Sequence, residues 1–363
     1  MRNEAMQKIV EAIREVGPRN ISEIARMTKI PVETVRYRIK KQLREKGIMI
    51  NAVVNYEKLG LRRYWLNLNF TENGDKHAVD ILDNLAVKGY LTYYAKTFPK
   101  GIYVAQVALP PKFKEDYKSF LNTLLQLGVL KNHDMWELSW FRFMSMRTEY
   151  YDFERNQWIL DWNKLEEEAV KIENPVEMDV EKKPKIDKID LMILAHLQAN
   201  SFSSVTRIAE KINENSRKVR YHFLNHVIRK GLIGKYTLLW SGTKKEDIMR
   251  LILQFSNLNK QDLILIEQNM HKLPFITSDS FSRSKNLYLV IIHSPLAYYI
   301  DILRFIYANL PGSVREVEVM VADPLTINAY TLPYELFDDR EREWRLNVQE
   351  LLNFVEQKIS LKT

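Results

Sequence analysis

The 363-residue chain has no cysteine, which excludes a disulfide framework, thiolate metal sites and cysteine nucleophiles, and fits a reducing compartment such as the cytoplasm. Long apolar runs are missing as well. The longest compact one, residues 287–292, is strand-sized, far short of the ~20 residues a membrane span needs. The N-terminus opens charged and helical, without the apolar core of a secretion signal. There is no Gly-rich phosphate loop, no Gly-x-Ser-x-Gly turn and no paired-carboxylate constellation. These absences lead us to expect a protein that is not an enzyme and that requires no cofactor.

What the chain does have is a second copy of itself. Val35-Arg36-Tyr37 followed by Lys46-Gly47-Ile48 recurs as Val219-Arg220-Tyr221 followed by Lys230-Gly231-Leu232. A shift of 184 positions holds without a gap from Ile24-Ala25 against Ile208-Ala209 through Gly47 against Gly231, which marks duplication. The net charge is +8, and its distribution follows the repeat. Residues 1–50 hold 12 basic and 6 acidic side chains and residues 201–250 hold 11 and 4, whereas residues 151–200 hold 7 and 12. Two basic, helix-rich segments in one polypeptide point to nucleic acid and a two-part site.

In the first copy a helix over residues 4–15 stops at Gly17-Pro18, and Asn20 stands three residues before Glu23 as a capping box for a second helix. A third helix starts near Pro31 and buries Val35, Ile39 and Leu43. In the second copy Ser204 and Asn215 take the capping places, and Val219, Phe223 and Val227 form the stripe. Gly47 and Gly231 close the two third helices. Each helical unit is followed by strand, helix, strand, strand, helix, strand: residues 64–70, 76–86, 91–97, 102–109, 112–127 and 133–143, then 248–255, 261–271, 276–281, 287–293, 297–310 and 314–321. This is the ferredoxin-like βαββαβ order. The alternation of Trp136, Leu138 and Trp140 reads as one packed face of a strand. The expected class is α+β, with domains at 1–52 (helix-turn-helix, winged-helix-like), 60–158 (ferredoxin-like with an extension), 159–185 (charged linker), 186–238, 246–344 and a tail at 345–363. The extensions ending at Trp158 and Trp344 correspond to one another.

A helix-turn-helix unit leading into such a module resembles the Lrp/AsnC feast/famine transcription regulators. Residues 186–194, Ile-Asp-Lys-Ile-Asp-Leu-Met-Ile-Leu, and residues 55–61, Asn-Tyr-Glu-Lys-Leu-Gly-Leu, are similar to that family. The resemblance implies double-stranded DNA as partner, pairing of α/β modules as in a homodimer, and a small-molecule effector between modules. Two departures stand out. The third helix is one residue longer than the family pattern in both halves, placing Leu43 and Val227 later. Where the family carries Gly and Asp around its strand hairpin, this chain has Gly101-Ile102-Tyr103 and Asn286-Leu287-Tyr288, which weighs against amino-acid sensing.

Residues near the start of a recognition helix reach base edges. The candidates are Glu33, Thr34, Arg36 and Arg38 in the first copy, and Ser216, Arg217, Arg220 and His222 in the second. Lys40, Lys41, Lys218 and Arg229 suit phosphates, and Tyr37 and Tyr221 suit either packing or phosphate. The two helices differ around the shared Val-Arg-Tyr, so an asymmetric operator is expected of a nucleoid-located regulator. Architectural binding with little sequence preference is the alternative. Siroheme decarboxylases share the two-module plan and form a second alternative. They would need a basic, histidine-containing pocket in the α/β module, whereas the seven histidines lie scattered and that group's Tyr-Asn hairpin pattern is missing. His222 and His226 have a spacing that can hold zinc; with no third ligand near them in sequence, no metal is expected.

Overall fold

The computed structural model describes residues 2–170, 172, 185–240, 247–314 and 316–360. The chain opens with α1 (Arg2–Val16), α2 (Ile21–Thr28) and α3 (Val32–Tyr37), which continues as a π-helical segment Arg38–Arg44. Val35, Ile39 and Leu43 are buried as the stripe requires. The π segment explains the extra residue: an i→i+5 turn absorbs one insertion without ending the helix. Gly47 then takes the left-handed conformation, φ 75°. The capping box at Asn20 does not form, because its side chain accepts no cap hydrogen bond and Glu23 pairs with Arg26.

Strand β1 (Ile48–Val54) leads into the first α/β module: β2 (Arg62–Phe70), α4 (Glu72–Asp75), α5 (Ala78–Val87), β3 (Tyr93–Phe98), β4 (Tyr103–Leu109), α6 (Lys114–Gln126) and β5 (Leu130–Glu137). Beyond β5 the chain does not continue straight. Residues 133–143, read from sequence as one strand, break at Leu138-Ser139, and β6 (Trp140–Phe143) pairs with the other module. Trp136 and Leu138 therefore pack between the modules, while Trp140 stacks on Phe281 in a different core, so the three do not share a face. The extension carries the hairpin β7 (Tyr151–Asp152) and β8 (Gln157–Trp158), then α7 (Trp162–Glu167). Of the expected linker, residues 171 and 173–184 lie outside the described residues.

The second half repeats this order. Its helical unit is α8 (Lys188–Ala199), α9 (Val205–Lys211) and α10 (Ser216–His222), with a π segment Phe223–Ile228. Ser204 and Asn215 accept cap hydrogen bonds from Arg207 and Arg217. Then come β9 (Ile233–Trp240), β10 (Ile248–Ser256), α11 (Lys260–Lys272), β11 (Ile276–Ser282), β12 (Leu287–Pro295), α12 (Tyr299–Ala308) and β13 (Val317–Ala322). The tail forms β14 (Asn328–Ala329), β15 (Phe337–Asp338), β16 (Glu343–Trp344) and α13 (Val348–Ser360).

The halves pair as a dimer would, within one chain. The wing strands β1 and β9 are antiparallel partners, and the modules join through β3 and β13 in the order β5-β2-β4-β3-β13-β10-β12-β11-β6. Each half also lends its tail to the other. Strand β6 lies on β11 and β14 on β3; Trp158 packs on Trp240 and Phe275; Trp344 Nε1 donates to the Leu59 carbonyl at 2.8 Å; and α13 closes the first module's core with Leu351 and Val355. Buried polar clusters lock both exchanged strands. Arg142 of β6 is ion-paired to the buried Asp279 of β11, Nε to Oδ1 at 2.8 Å, and His271 and Tyr288 also bond that carboxylate at 2.8 Å. Burial alone would raise the Asp279 carboxyl, but the His271 and Arg142 hydrogen bonds outweigh it and hold the group below the usual range. At the reciprocal place Asn328 of β14 donates to Tyr94 Oη at 2.7 Å, and Tyr94 bonds Asp83.

Candidate functional site

Of the recognition-helix candidates, Glu33, Thr34, Arg36, Tyr37, Lys40, Lys41, Ser216, Arg217, Lys218, Arg220, Tyr221 and Arg229 are exposed, and Arg38 is half-buried. Tyr37 and Tyr221 are 61% and 57% exposed, and the Tyr221 ring lies edge-on to His222 and His226 at 5.8 and 5.6 Å. Arg36 pairs with Glu33, Lys41 with Glu45 at 3.0 Å and Lys218 with Glu214 at 3.1 Å. His222 is a correction. It is only 8% exposed and its Nδ1 sits 2.9 Å from Asp190 Oδ1, so it faces α8 and is turned away from any base edge.

A different constellation lies between the α/β modules. Alternate side chains of each strand point away from the module's own helices, and those faces meet. Trp65, Ala95, Val104, Trp136 and Leu138 pack against Ile252, Leu287, Leu289, Ile291, Met320 and Ala322. Each module places an arginine near the start of its first strand on this inner face: Arg63 opposite Ala108, and Arg250 opposite His293. The two positions match in strand order and register but have different surroundings.

Arg63 is wedged among aromatic rings, 3.8 Å from the Tyr56 centroid, 4.6 Å from Phe141 and 5.4 Å from Phe143, and donates to Gln106 at 3.3 Å. Its place is full. Arg250 has more open surroundings. Its Nη2 lies 3.2 Å from His293 Nδ1, its guanidinium lies 5.7 Å from the Tyr93 centroid, and the Trp240 ring is 6.3 Å from His293. Trp240 stands 184 residues after Tyr56, so the aromatic neighbour is kept while the plug of two phenylalanines is not. Arg250 Nε and Tyr93 Oη are each shut off from solvent without a hydrogen-bond partner, and His293 Nε2 is buried without a close one, the Trp240 backbone being the polar group beside the ring. Leaving such groups unpaired costs about 1–3 kcal/mol each.

The protonation state follows from these contacts. Burial first, and then the Arg250 charge, push the His293 imidazole down to about 3, so the ring is neutral at physiological pH. Arg250 can only donate, which makes His293 Nδ1 the acceptor and leaves the ring proton on Nε2. The three unpaired atoms thus present an arginine N–H, an imidazole N–H and a phenolic O–H, a donor set suited to an anion. By contrast, two of the cations lining the surface groove of about 560 Å³ beside Trp344 are engaged. Lys112 pairs with Glu343 at 3.2 Å, and Lys58 bonds the Lys230 and Gly231 carbonyls.

None of Tyr93, Arg250 or His293 was a sequence candidate. A signal existed in the recurrence of an arginine at the first-strand position of both modules, but His293 joins Arg250 only through the β10–β12 register. Cross-strand pairing thus joins one arginine to one histidine that stand 43 residues apart in sequence.

No protein-family model matches the chain, and no curated protein matches it. Among solved structures, the chain is similar to the siroheme decarboxylase NirDL, with 10% identity, 97% of this chain and 99% of that chain covered, and a TM-score of 0.56. It is similar to the same protein in complex with an iron-uroporphyrin III analogue at 9% identity and TM-score 0.56, again over 97% and 99%. Similarity to AsnC of E. coli, 14% identical, covers 38% of this chain and 91% of that one with a TM-score of 0.28, too low to carry an argument. The α+β fold of paired helix-turn-helix and ferredoxin-like units is thereby shown. The expectations of a DNA-binding regulator and of a protein that is not an enzyme are corrected, since the likeness spanning the whole chain is to an enzyme.

Proposed function

We propose that the chain is an enzyme acting on a carboxylate-bearing tetrapyrrole, of the siroheme-decarboxylase kind, with the substrate held between the two α/β modules at Arg250, His293 and Tyr93. The carrying observation is the trio of buried, unpaired donors around a guanidinium. A substrate carboxylate is the acceptor that such donors lack, and it brings a negative charge to the Arg250 guanidinium. The half-buried Trp240 ring beside His293 is a flat neighbour for a macrocycle.

In a decarboxylation the bond between a side-chain carbon and its carboxylate breaks, CO2 departs, and the carbon takes up a proton. Charge has to leave the carboxylate in the transition state, which poorly solvating surroundings favour, and the layer that holds Ile252, Leu289 and Ile291 beside Arg250 is of that kind. Arg250 holds a neighbouring carboxylate and fixes orientation. His293, neutral and donating from Nε2, is a binding group; a neutral imidazole is too weak an acid to deliver the proton.

The test is anaerobic titration of the purified full chain with siroheme, following the absorbance band and the loss of CO2 by mass spectrometry. Arg250→Met is expected to weaken binding by at least roughly tenfold, the worth of one charge-assisted hydrogen bond. Arg63→Met, at the plugged position, is expected to leave affinity unchanged. Failure of the chain to bind or convert the tetrapyrrole, or equal effects of the two substitutions, would overturn the reading.

A further inference from the structure

The second helical unit contains a cluster that this function does not use. Asp187 caps the start of α8, accepting from the Asp190 backbone N–H at 3.1 Å, and Asp190 accepts from the Asp187 backbone N–H at 3.2 Å. Across from them stand His222 at the end of α10 and His226 one turn later in the π segment. His222 Nδ1 is 2.9 Å from Asp190 Oδ1 and 3.5 Å from Asp187 Oδ2. His226 Nδ1 is 3.0 Å from both Asp190 oxygens. One donor atom from each of the four residues falls within 4.8 Å of all the others.

We infer that Asp187, Asp190, His222 and His226 form a binding site for one divalent transition-metal ion of the zinc type. A tetrahedral ion with nitrogen and oxygen ligands at ~2.0–2.1 Å separates its donor atoms by roughly 3.3–3.4 Å, and the observed separations of 2.9 to 3.5 Å bracket that edge. Two imidazoles with two carboxylates suit zinc and its first-row neighbours. With each ring proton on Nε2, both Nδ1 lone pairs face the ion; in its absence the same atoms donate to Asp190.

The duplication supplies an internal control. The shift of 184 positions sets Arg38 and Gln42 opposite His222 and His226; carried back to α1, where buried Ile9, Val10 and Ile13 match buried Ile193, Leu194 and Leu197 of α8, it sets Asn3 and Met6 opposite Asp187 and Asp190. Met6 fills its place as an apolar core residue, 1% exposed, so the three-helix fold needs no carboxylate there. Asp190 is nonetheless fully buried, 0% exposed, at a desolvation cost of several kcal/mol. A cation held by two acidic and two imidazole groups offsets that cost, and it ties α8 to the helix after α9 in the second copy alone.

The experiment uses the full chain, stripped with a chelator and titrated with zinc chloride by calorimetry and with cobalt(II) chloride by absorbance. One ion per chain is expected, with the intense visible bands of tetrahedral cobalt and a higher Tm in zinc. Since Asp190→Asn touches the core, the decisive variants are the half-buried His226→Gln and Asp187→Asn. Each is expected to fold in the absence of metal and to weaken zinc by at least roughly tenfold. No binding by the parent chain, or binding unaffected by both substitutions, would overturn the site. Tetrapyrrole binding by these variants stays intact, which separates this outcome from failure of the enzyme reading.

Discussion

Replacing Arg142 by Met tests how the exchanged strand is held. In the parent chain its guanidinium lies over the Trp140 ring at 4.3 Å, pairs with Asp279, and reaches Glu267 at 3.2 Å. Methionine keeps most of the apolar stem but leaves the fully buried Asp279 carboxylate with only His271 and Tyr288. Removing one partner of a buried pair costs about 3–5 kcal/mol because the remaining charge stays desolvated. The loss should appear in urea unfolding at pH 7, and it should carry a pH signature. Asp279 has a lowered folded-state pKa, so its contribution is present above the unfolded carboxylate value of about 3.9 and disappears as pH falls through the lower folded value. In the variant the Arg142 share of that depression is lost while the His271 hydrogen bond remains. The stability gap between the two proteins should therefore narrow as pH falls below about 3.9. A loss under ~1 kcal/mol, or a gap that ignores pH, would refute the assignment of Arg142 as the charge partner that locks β6 onto β11.

Two further outcomes follow from packing. At Gly74 an added Cβ would stand 2.1 Å from the Val129 carbonyl oxygen, a backbone atom that cannot swing away; Gly74→Ala should cost about 1–3 kcal/mol in thermal unfolding, and an unchanged Tm would contradict the close approach. Trp344→Phe leaves the buried Leu59 carbonyl without its donor, so a loss of about 1–3 kcal/mol is expected, visible as faster proteolysis of the C-terminal tail.

The duplication, the helix pairs and both βαββαβ orders were legible because each rests on local periodicity and on turn residues such as Gly47, Ser204 and Asn215. The exchange of tails was not. Nothing in residues 133–143 says that the strand stops at Leu138-Ser139 and resumes against another sheet, because both pieces alternate alike. The site residues were hidden for a related reason. Arg250 and His293 are neighbours only once a hairpin register is set, and Asp190 meets His222 and His226 only after three helices have packed. The His222–His226 spacing was visible, but its carboxylate partners were too far away in sequence to be counted with it.

The aromatic plug around Arg63 has a consequence for stoichiometry. A dimer of two identical chains must present in duplicate every inter-module site that lies off its two-fold axis. A fused pair is free of that constraint: one copy can be filled with side chains and become part of the scaffold while its twin is tuned for chemistry. If the proposed function holds, this chain takes up one tetrapyrrole per polypeptide, and its two halves, each completed by the other's tail, cannot drift apart as independent proteins.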